Sequence, residues 1–346
     1  MENKTPNFME KVTGFFKSLS KKQLIAIIAA VVAIAVLIPV IILIPNGNNK
    51  PEETTPAETT PAATTPAETT PDNTPVAKDY KLVVVTDSAI SSGKVSNHAL
   101  ALVIGADGKI VAARFDCAEI TPELDEGGNL IAQASVATKV ELGDDYNMGS
   151  GNWAEQTAAF EAALVGKTIE EAAAIDTTLV AGCTMPYTPF TFKALLTKAG
   201  TSELKVSFST ADPITVGLAI DSAVANSGSV TSDFAGIVIA GNKVVATMLD
   251  SCEQKFTVED GELVAPETPA VSKNDQGENY GDGQSMAAGA WYKQAQAFAN
   301  STVDKTVAEL ADLETVSDAL AAAGCTMQYT TAGYKATIIK AAGYAR

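Results

Sequence analysis

The sequence predicts an α+β fold: two tandem copies of a small antiparallel sheet with packed helices, placed after one transmembrane helix and an extended, disordered linker. Three observations predict it. An uninterrupted apolar run lies near the N-terminus, a Thr/Pro-rich stretch follows it, and an internal repeat fills the chain from Tyr80 onward.

The apolar run reads LIAIIAAVVAIAVLIPVIILI from Leu24 to Ile44, without a charge. At roughly 1.5 Å per residue it makes about 30 Å of helix, the thickness of a bilayer's hydrocarbon core. Lys4, Lys11, Lys17, Lys21 and Lys22 precede it against Glu2 and Glu10, so the positive-inside rule leaves 1–22 as a cytoplasmic tail and sends everything after Pro45 outward. The run is longer than a signal-peptide core and ends in Pro45-Asn46-Gly47 rather than a small-residue cleavage site. We therefore expect an uncleaved anchor over 23–45, a single-pass protein of the cell membrane, and extracellular C-terminal domains.

Residues 46–79 contain PEETTPAETTPAATTPAETTPDNTP, which has too few large apolar side chains to offset the entropy of ordering it. Such a stretch is a polyproline-like spacer that reaches about 100 Å when fully extended. The formal charge of the chain is −17. A surface that acidic repels phosphate backbones, so nucleic acid is excluded as a partner and anionic lipid headgroups are disfavoured.

The repeat divides the remainder into 80–202 and 203–346. Asp87-Ser88-Ala89 recurs as Asp221-Ser222-Ala223, and Lys139, Gly143 and Tyr146 recur as Lys273, Gly277 and Tyr280. Beyond a short insertion, Trp153, Gln156, Phe160 and Lys167 find Trp291, Gln294, Phe298 and Lys305. In each copy strands come first: Ala99 to Ile104 and Ile110 to Phe115 flank a Gly-Ala-Asp-Gly turn, and Phe234 to Ile239 with Val244 to Leu249 flank Gly241-Asn242. Helices follow. Trp153, Thr157, Phe160 and Leu164 share one helical face, as do Trp291, Ala295, Phe298 and Thr302. Thr168 with Glu171, and Thr306 with Glu309, form capping-box patterns. Thr188-Pro189 opens a last helix running to Lys198, and Thr330 opens its counterpart.

There is no G-x-S-x-G, H-E-x-x-H, P-loop or C-x-x-C, and His98 is the single histidine, which argues against triad hydrolases and zinc enzymes. The four cysteines fall two per copy. Outside the membrane that predicts a disulfide between Cys117 and Cys183 and another between Cys252 and Cys325, with free buried thiols as the alternative.

The segment around each second cysteine carries the most chemistry. AGCTMPYTPFTFKALLTKA runs from Ala181 and AGCTMQYTTAGYKATIIKA from Ala323. In each, a hydroxyl (Thr184 or Thr326) sits on a turn containing Gly182 or Gly324, shortly before a helix bearing Lys193 or Lys335. A turn that opens a helix presents free N–H groups and the positive end of the helix dipole, the requirements of a phosphate. The plain alternative is a tight strand-to-helix connection.

This segment resembles the FMN-binding domain family of extracytoplasmic electron-transfer proteins, with its S-G-A-T-x-T-S signature before a helix. The wider repeat, including TKVELGDDYNM from Thr138 and WAEQTAAFEAALVGKT from Trp153, is similar to flavin-carrying, pheromone-precursor lipoproteins on the surface of Gram-positive bacteria. The resemblance implies FMN esterified through its phosphate to Thr184 and Thr326 by a dedicated flavin transferase. It further implies electron transfer across the envelope from a membrane-bound reductase, the protein acting as a redox carrier rather than as an independent enzyme. Tyr187 and Tyr329, beside the acceptors, are candidates to stack on the flavin. The chain departs from the signature at Ala181 and Ala323 (Ser in the family), at Cys183 and Cys325 (Ala), and at Thr178 and Leu320, where the family has Asp. The other reading of the residues is a non-catalytic surface binding or adhesion protein with two disulfide-stabilised domains.

Overall fold

The computed structural model describes residues 76–149, 151–183, 188–280, 289–327 and 331–346. The first copy opens with a meander of three long strands, β1 (Lys78–Ser91), β2 (Lys94–Gly105) and β3 (Ile110–Ile120), and a short β4 (Gln133–Val136). Helices α1 (Lys139–Leu142), α2 (Trp153–Leu164), α3 (Ile169–Ala173) and α4 (Thr188–Thr201) follow. The second copy has β5 (Val206–Thr210), the meander β6 (Ile214–Val224), β7 (Ser229–Ala240) and β8 (Lys243–Lys255), and a small hairpin of β9 (Thr257–Glu259) and β10 (Glu262–Val264). It closes with α5 (Lys273–Gln276), α6 (Trp291–Asn300), α7 (Asp318–Ala322) and α8 (Thr331–Gly343). The fold is mixed α+β, with antiparallel sheets and packed helices.

Local sequence explains most of these elements. Both expected hairpins form, β2 with β3 and β7 with β8. Thr168 accepts from the Glu171 N–H while the Glu171 carboxylate accepts from the Thr168 N–H, closing the expected box at the start of α3. Thr306 and Glu309 make the same exchange, but the turn they open is a 3₁₀ helix, Ala308–Asp312, and not an α-helix. The Trp153 and Trp291 faces of α2 and α6 are buried, as their helical spacing requires.

The long-range arrangement is less local. One sheet has the order β3-β2-β1-β5 and the other β4-β6-β7-β8. Each copy therefore contributes a short strand to the edge of the other's sheet: β5 pairs with β1, and β4 with β6. The ion pairs repeat the exchange. Lys340 of copy 2 binds Glu141 of copy 1 at 2.9 Å, and Lys198 of copy 1 binds Asp275 of copy 2. Each of these lysines also donates to a backbone carbonyl of its own copy's meander, Lys340 to Ile220 and Lys198 to Thr86, so helix, sheet and neighbouring copy are tied at one point.

The two sheets pack face to face. Leu82, Val84, Ala99, Ala101 and Val103 enter a shared core with Val216, Leu218, Ile220, Phe234 and Val238. The alternate residues of the same strands turn outward: Val83, Val85, Leu100 and Leu102 meet α2 and α4, while Ala235, Ile237 and Ile239 meet α6 and α8. The result is a helix-sheet-sheet-helix sandwich, in which strands covered on both faces lose the polar alternation of a one-sided sheet. The sheets approach so closely that a Cβ on Gly236 would stand 2.4 Å from Val84 Cγ2. Any larger residue there must displace Val84.

The expected disulfides are not formed: Cys117, Cys183, Cys252 and Cys325 are all free and buried. Strand register shows why the pairing idea fails in copy 2. Cys117 lies opposite His98, the position that Ser251 occupies opposite Asp233, whereas Cys252 lies one residue further on, opposite Ser232. One residue reverses the face of a strand. Cys252 consequently points into the core between the sheets and Cys325 into the core beneath the helices, with the sheet between them. Cys117 and Cys183 share the helix-side core of copy 1 but remain thiols. Burial pushes the Cys117 and Cys252 thiols up to about 12, which leaves both unreactive.

Among the described residues no helix is long and apolar enough to cross a membrane. The expected anchor and most of the linker lie outside the described residues, as do Thr184, Tyr187 and Tyr329.

Candidate functional site

Each copy builds the same cluster where the helices meet the end of its sheet. A lysine at the start of a one-turn helix, Lys139 on α1 or Lys273 on α5, lies over two aromatic rings. Lys139 Nζ stands 4.7 Å from the Tyr146 ring centroid and 5.8 Å from that of Trp153; for Lys273 the distances are 5.2 Å to Tyr280 and 5.3 Å to Trp291. Attraction to the ring faces compensates part of the cost of burying the ammonium. The two clusters then diverge. Lys139 also binds Glu119 at 2.9 Å, and Glu119 binds Lys94 at 3.0 Å. In copy 2 the Trp291 indole N–H donates to the Tyr334 hydroxyl at 3.1 Å. Copy 1 has Phe192 at the matching sequence position, and among the described residues the Trp153 indole N–H finds no partner.

The predicted acceptor turn is well defined in copy 2. Gly324 adopts φ 98°, a left-handed conformation that a side chain would strain, and Gly182 repeats it with φ 84°. Thr326 is half-buried, and both its backbone N–H and its hydroxyl donate to Gln294 Oε1, each at 2.8 Å. Gln294 comes from the middle of α6 and is fully buried. Its own Nε2 donates to the Gly289 carbonyl at 2.8 Å. The helix expected after the turn, α8, begins at Thr331.

The lysines proposed beside the turns are placed differently. Lys335 is half-buried and donates to the Leu313 carbonyl at 3.0 Å, while Lys193 is exposed on α4. Sequence reasoning noted Gln156 and Gln294 as repeated residues but not as parts of the site. The signal was their position, three residues after each tryptophan in both copies, where a helix turns the same face toward its neighbour.

Buried acids lie behind the site on the sheet. Asp116 accepts from the Cys117 and Val140 N–H groups at 2.7 and 3.2 Å, and its counterpart Asp250 accepts from Ser251 and Asn274 at 2.8 and 3.0 Å and from the Thr86 hydroxyl of copy 1 at 2.7 Å. These carboxylates fasten the one-turn helices to the sheet. Burial pushes Asp116 up to about 7 and Asp233 up to about 6, and raises Asp250 as well. His98 goes the other way, down to about 4, through burial and then the nearby Lys139 charge, so it is neutral at pH 7 and unsuited to carry a proton there. Among the described residues no cluster of His, Cys, Asp and Glu has the make-up of a metal site.

In comparisons with known proteins, no family model, no curated protein and no solved structure matches the chain.

Proposed function

We propose that the chain is a membrane-anchored flavin carrier of the cell envelope, holding FMN on Thr326 and Thr184 and relaying electrons from a membrane-bound reductase to an acceptor outside the cell. The observation that carries the reading is the Thr326 turn: the hydroxyl of a half-buried threonine, held by a buried amide, on a left-handed glycine turn ahead of the N-terminus of α8. Those features fit an esterified phosphate. The hydroxyl supplies the attachment atom, the glycine keeps side chains clear of it, and the helix N-terminus favours the remaining negative charge. FMN, once attached, supplies the redox chemistry, and the protein supplies position and surroundings. The anchor and Thr/Pro spacer read from the sequence complete the proposal by placing the sandwich away from the bilayer surface.

The test is to co-express the full-length chain with a flavin transferase, purify it in detergent and examine it for flavin fluorescence on a denaturing gel and by intact mass. Two covalent flavins are expected, with Thr326→Ala and Thr184→Ala each removing one. A colourless wild-type chain, or flavin that survives the double substitution, sinks the proposal.

A further inference from the structure

We infer that Gln294 is a positioning residue for the group transfer onto Thr326, a step that rests on the flavin reading above and adds to it the chain's own contribution to the attachment.

The orientation of the Gln294 amide is dictated by two backbone groups that cannot exchange roles. The Gly289 carbonyl can only accept, so the side-chain atom facing it is Nε2; the Thr326 N–H can only donate, so the atom facing it is Oε1. With Oε1 fixed, the Thr326 hydroxyl donates its proton toward the protein. The oxygen's lone pairs are thereby left facing away from Gln294, available to an incoming phosphorus. A free threonine side chain rotates among staggered wells, and this bond selects one of them. A fully buried glutamine is costly unless both ends of its amide are paired, and here they are. The first copy repeats the half of this arrangement that faces the glycine. Gln156 is also buried, and its Nε2 donates to the Gly151 carbonyl at 3.3 Å.

The transfer balances as follows. A bond forms between Thr326 Oγ1 and the phosphorus of a flavin phosphoric anhydride. The P–O bond to the other phosphate breaks, and that phosphate leaves with the electron pair. A neutral amide does not accept the hydroxyl proton outright, so the proton passes to a base on the transferase. After transfer the hydroxyl bond is gone, but the Thr326 N–H remains on Gln294 and continues to hold the loaded turn.

The experiment uses the full-length chain, a flavin transferase and flavin adenine dinucleotide, with attachment rates at Thr326 and Thr184 followed separately by peptide mass spectrometry. Gln294→Met and Gln294→Asn, the second an amide too short to span both backbone groups, are each expected to slow attachment at Thr326 about tenfold. The loss should fall on kcat and leave KM unchanged, with Thr184 in the same chain unaffected. Gln294→Glu keeps an oxygen toward Thr326 but loses the donor to the Gly289 carbonyl, and is expected to recover only part of the rate. Unchanged attachment at Thr326 in both the methionine and the asparagine variant, or equal loss at both threonines in a folded chain, overturns the inference. A wild-type chain that takes up no flavin at either threonine overturns the underlying reading instead.

Discussion

The two ends of the interface between the copies occupy matching positions but are built from opposite chemistry. At one end Glu161, 3% exposed, accepts from the Phe115 N–H at 2.7 Å, from Arg346 at 2.9 Å and from Arg114 at 3.4 Å. Following the repeat, the positions of Arg114, Glu161 and Arg346 are taken at the other end by Met248, Ala299 and Leu204, all apolar and all packed into the cores. One fold thus places an ion triad around a buried glutamate at one end and apolar residues at the other, where Met248 and Leu204 join the core between the sheets and Ala299 the core beneath the helices. The triad is tolerable only while every charge is matched, because desolvation offsets most of what the pairing contributes.

That contrast sets the largest expected effect. Glu161→Ala alone removes the carboxylate shared by two guanidinium groups and the Phe115 N–H; Arg114 keeps the Val216 and Ala113 carbonyls and Arg346 keeps solvent, so the cost in urea denaturation should fall at the low end of breaking a buried pair, about 3 kcal/mol. Replacing the three residues together with the apolar set of the other end (Arg114→Met, Glu161→Ala, Arg346→Leu) should cost far less, or stabilise. Additive losses across the three substitutions would show that the two ends are not interchangeable.

The buried acids give the next effect. An acid whose folded-state pKa lies above its unfolded value holds its proton longer in the folded chain. The contribution of Asp116 is therefore most favourable below 3.8 and is lost as pH rises toward about 7. The slope approaches about 1.4 kcal/mol per pH unit across that window, and Asp233 and Asp250 act with the same sign. Asp116→Asn should flatten the profile measured by denaturation at fixed pH values. An unchanged profile would place the titration in copy 2.

A smaller effect separates the aromatic clusters. Tyr334→Phe removes the acceptor of the Trp291 indole and should cost about 1 to 3 kcal/mol, whereas Phe192→Tyr supplies the missing acceptor to Trp153 and should gain about 1 kcal/mol. Opposite signs in thermal melts are the signature. The smallest effect belongs to the exchanged ion pairs: Lys340→Met and Lys198→Met should each cost up to about 1 kcal/mol, because both partners keep partial contact with solvent.

Much of this was legible in the chain. Hairpin alternation, helical spacing behind each tryptophan and capping boxes are local, and local rules read them correctly. The strand exchange was not legible, because Gln133–Val136 and Val206–Thr210 are short and their partners lie in the other copy. In copy 2 the disulfide expectation failed on a single residue of register, to which counting cysteines per copy is blind. Of the candidate site, Gly182, Gly324 and Thr326 were singled out by the repeated AGCT turn, while the left-handed glycine conformation appears only in the structure. The Gln294 clamp needed the packing of α6 against that turn, and the lysine positions needed the partners that helix and loop offer them.

The exchange also bears on how the molecule would answer to mechanical force. β1 lies between β2 and β5, and so is hydrogen-bonded along one edge within its own copy and along part of the other edge to the second copy. Tension arriving through the chain ahead of Lys78 would act along β1 and load both ladders in shear, where many bonds must yield together, instead of peeling them one at a time. A pull at that end would be shared at once by strands of both copies. The place where a tether would join is thus also the strand through which the two halves grip each other.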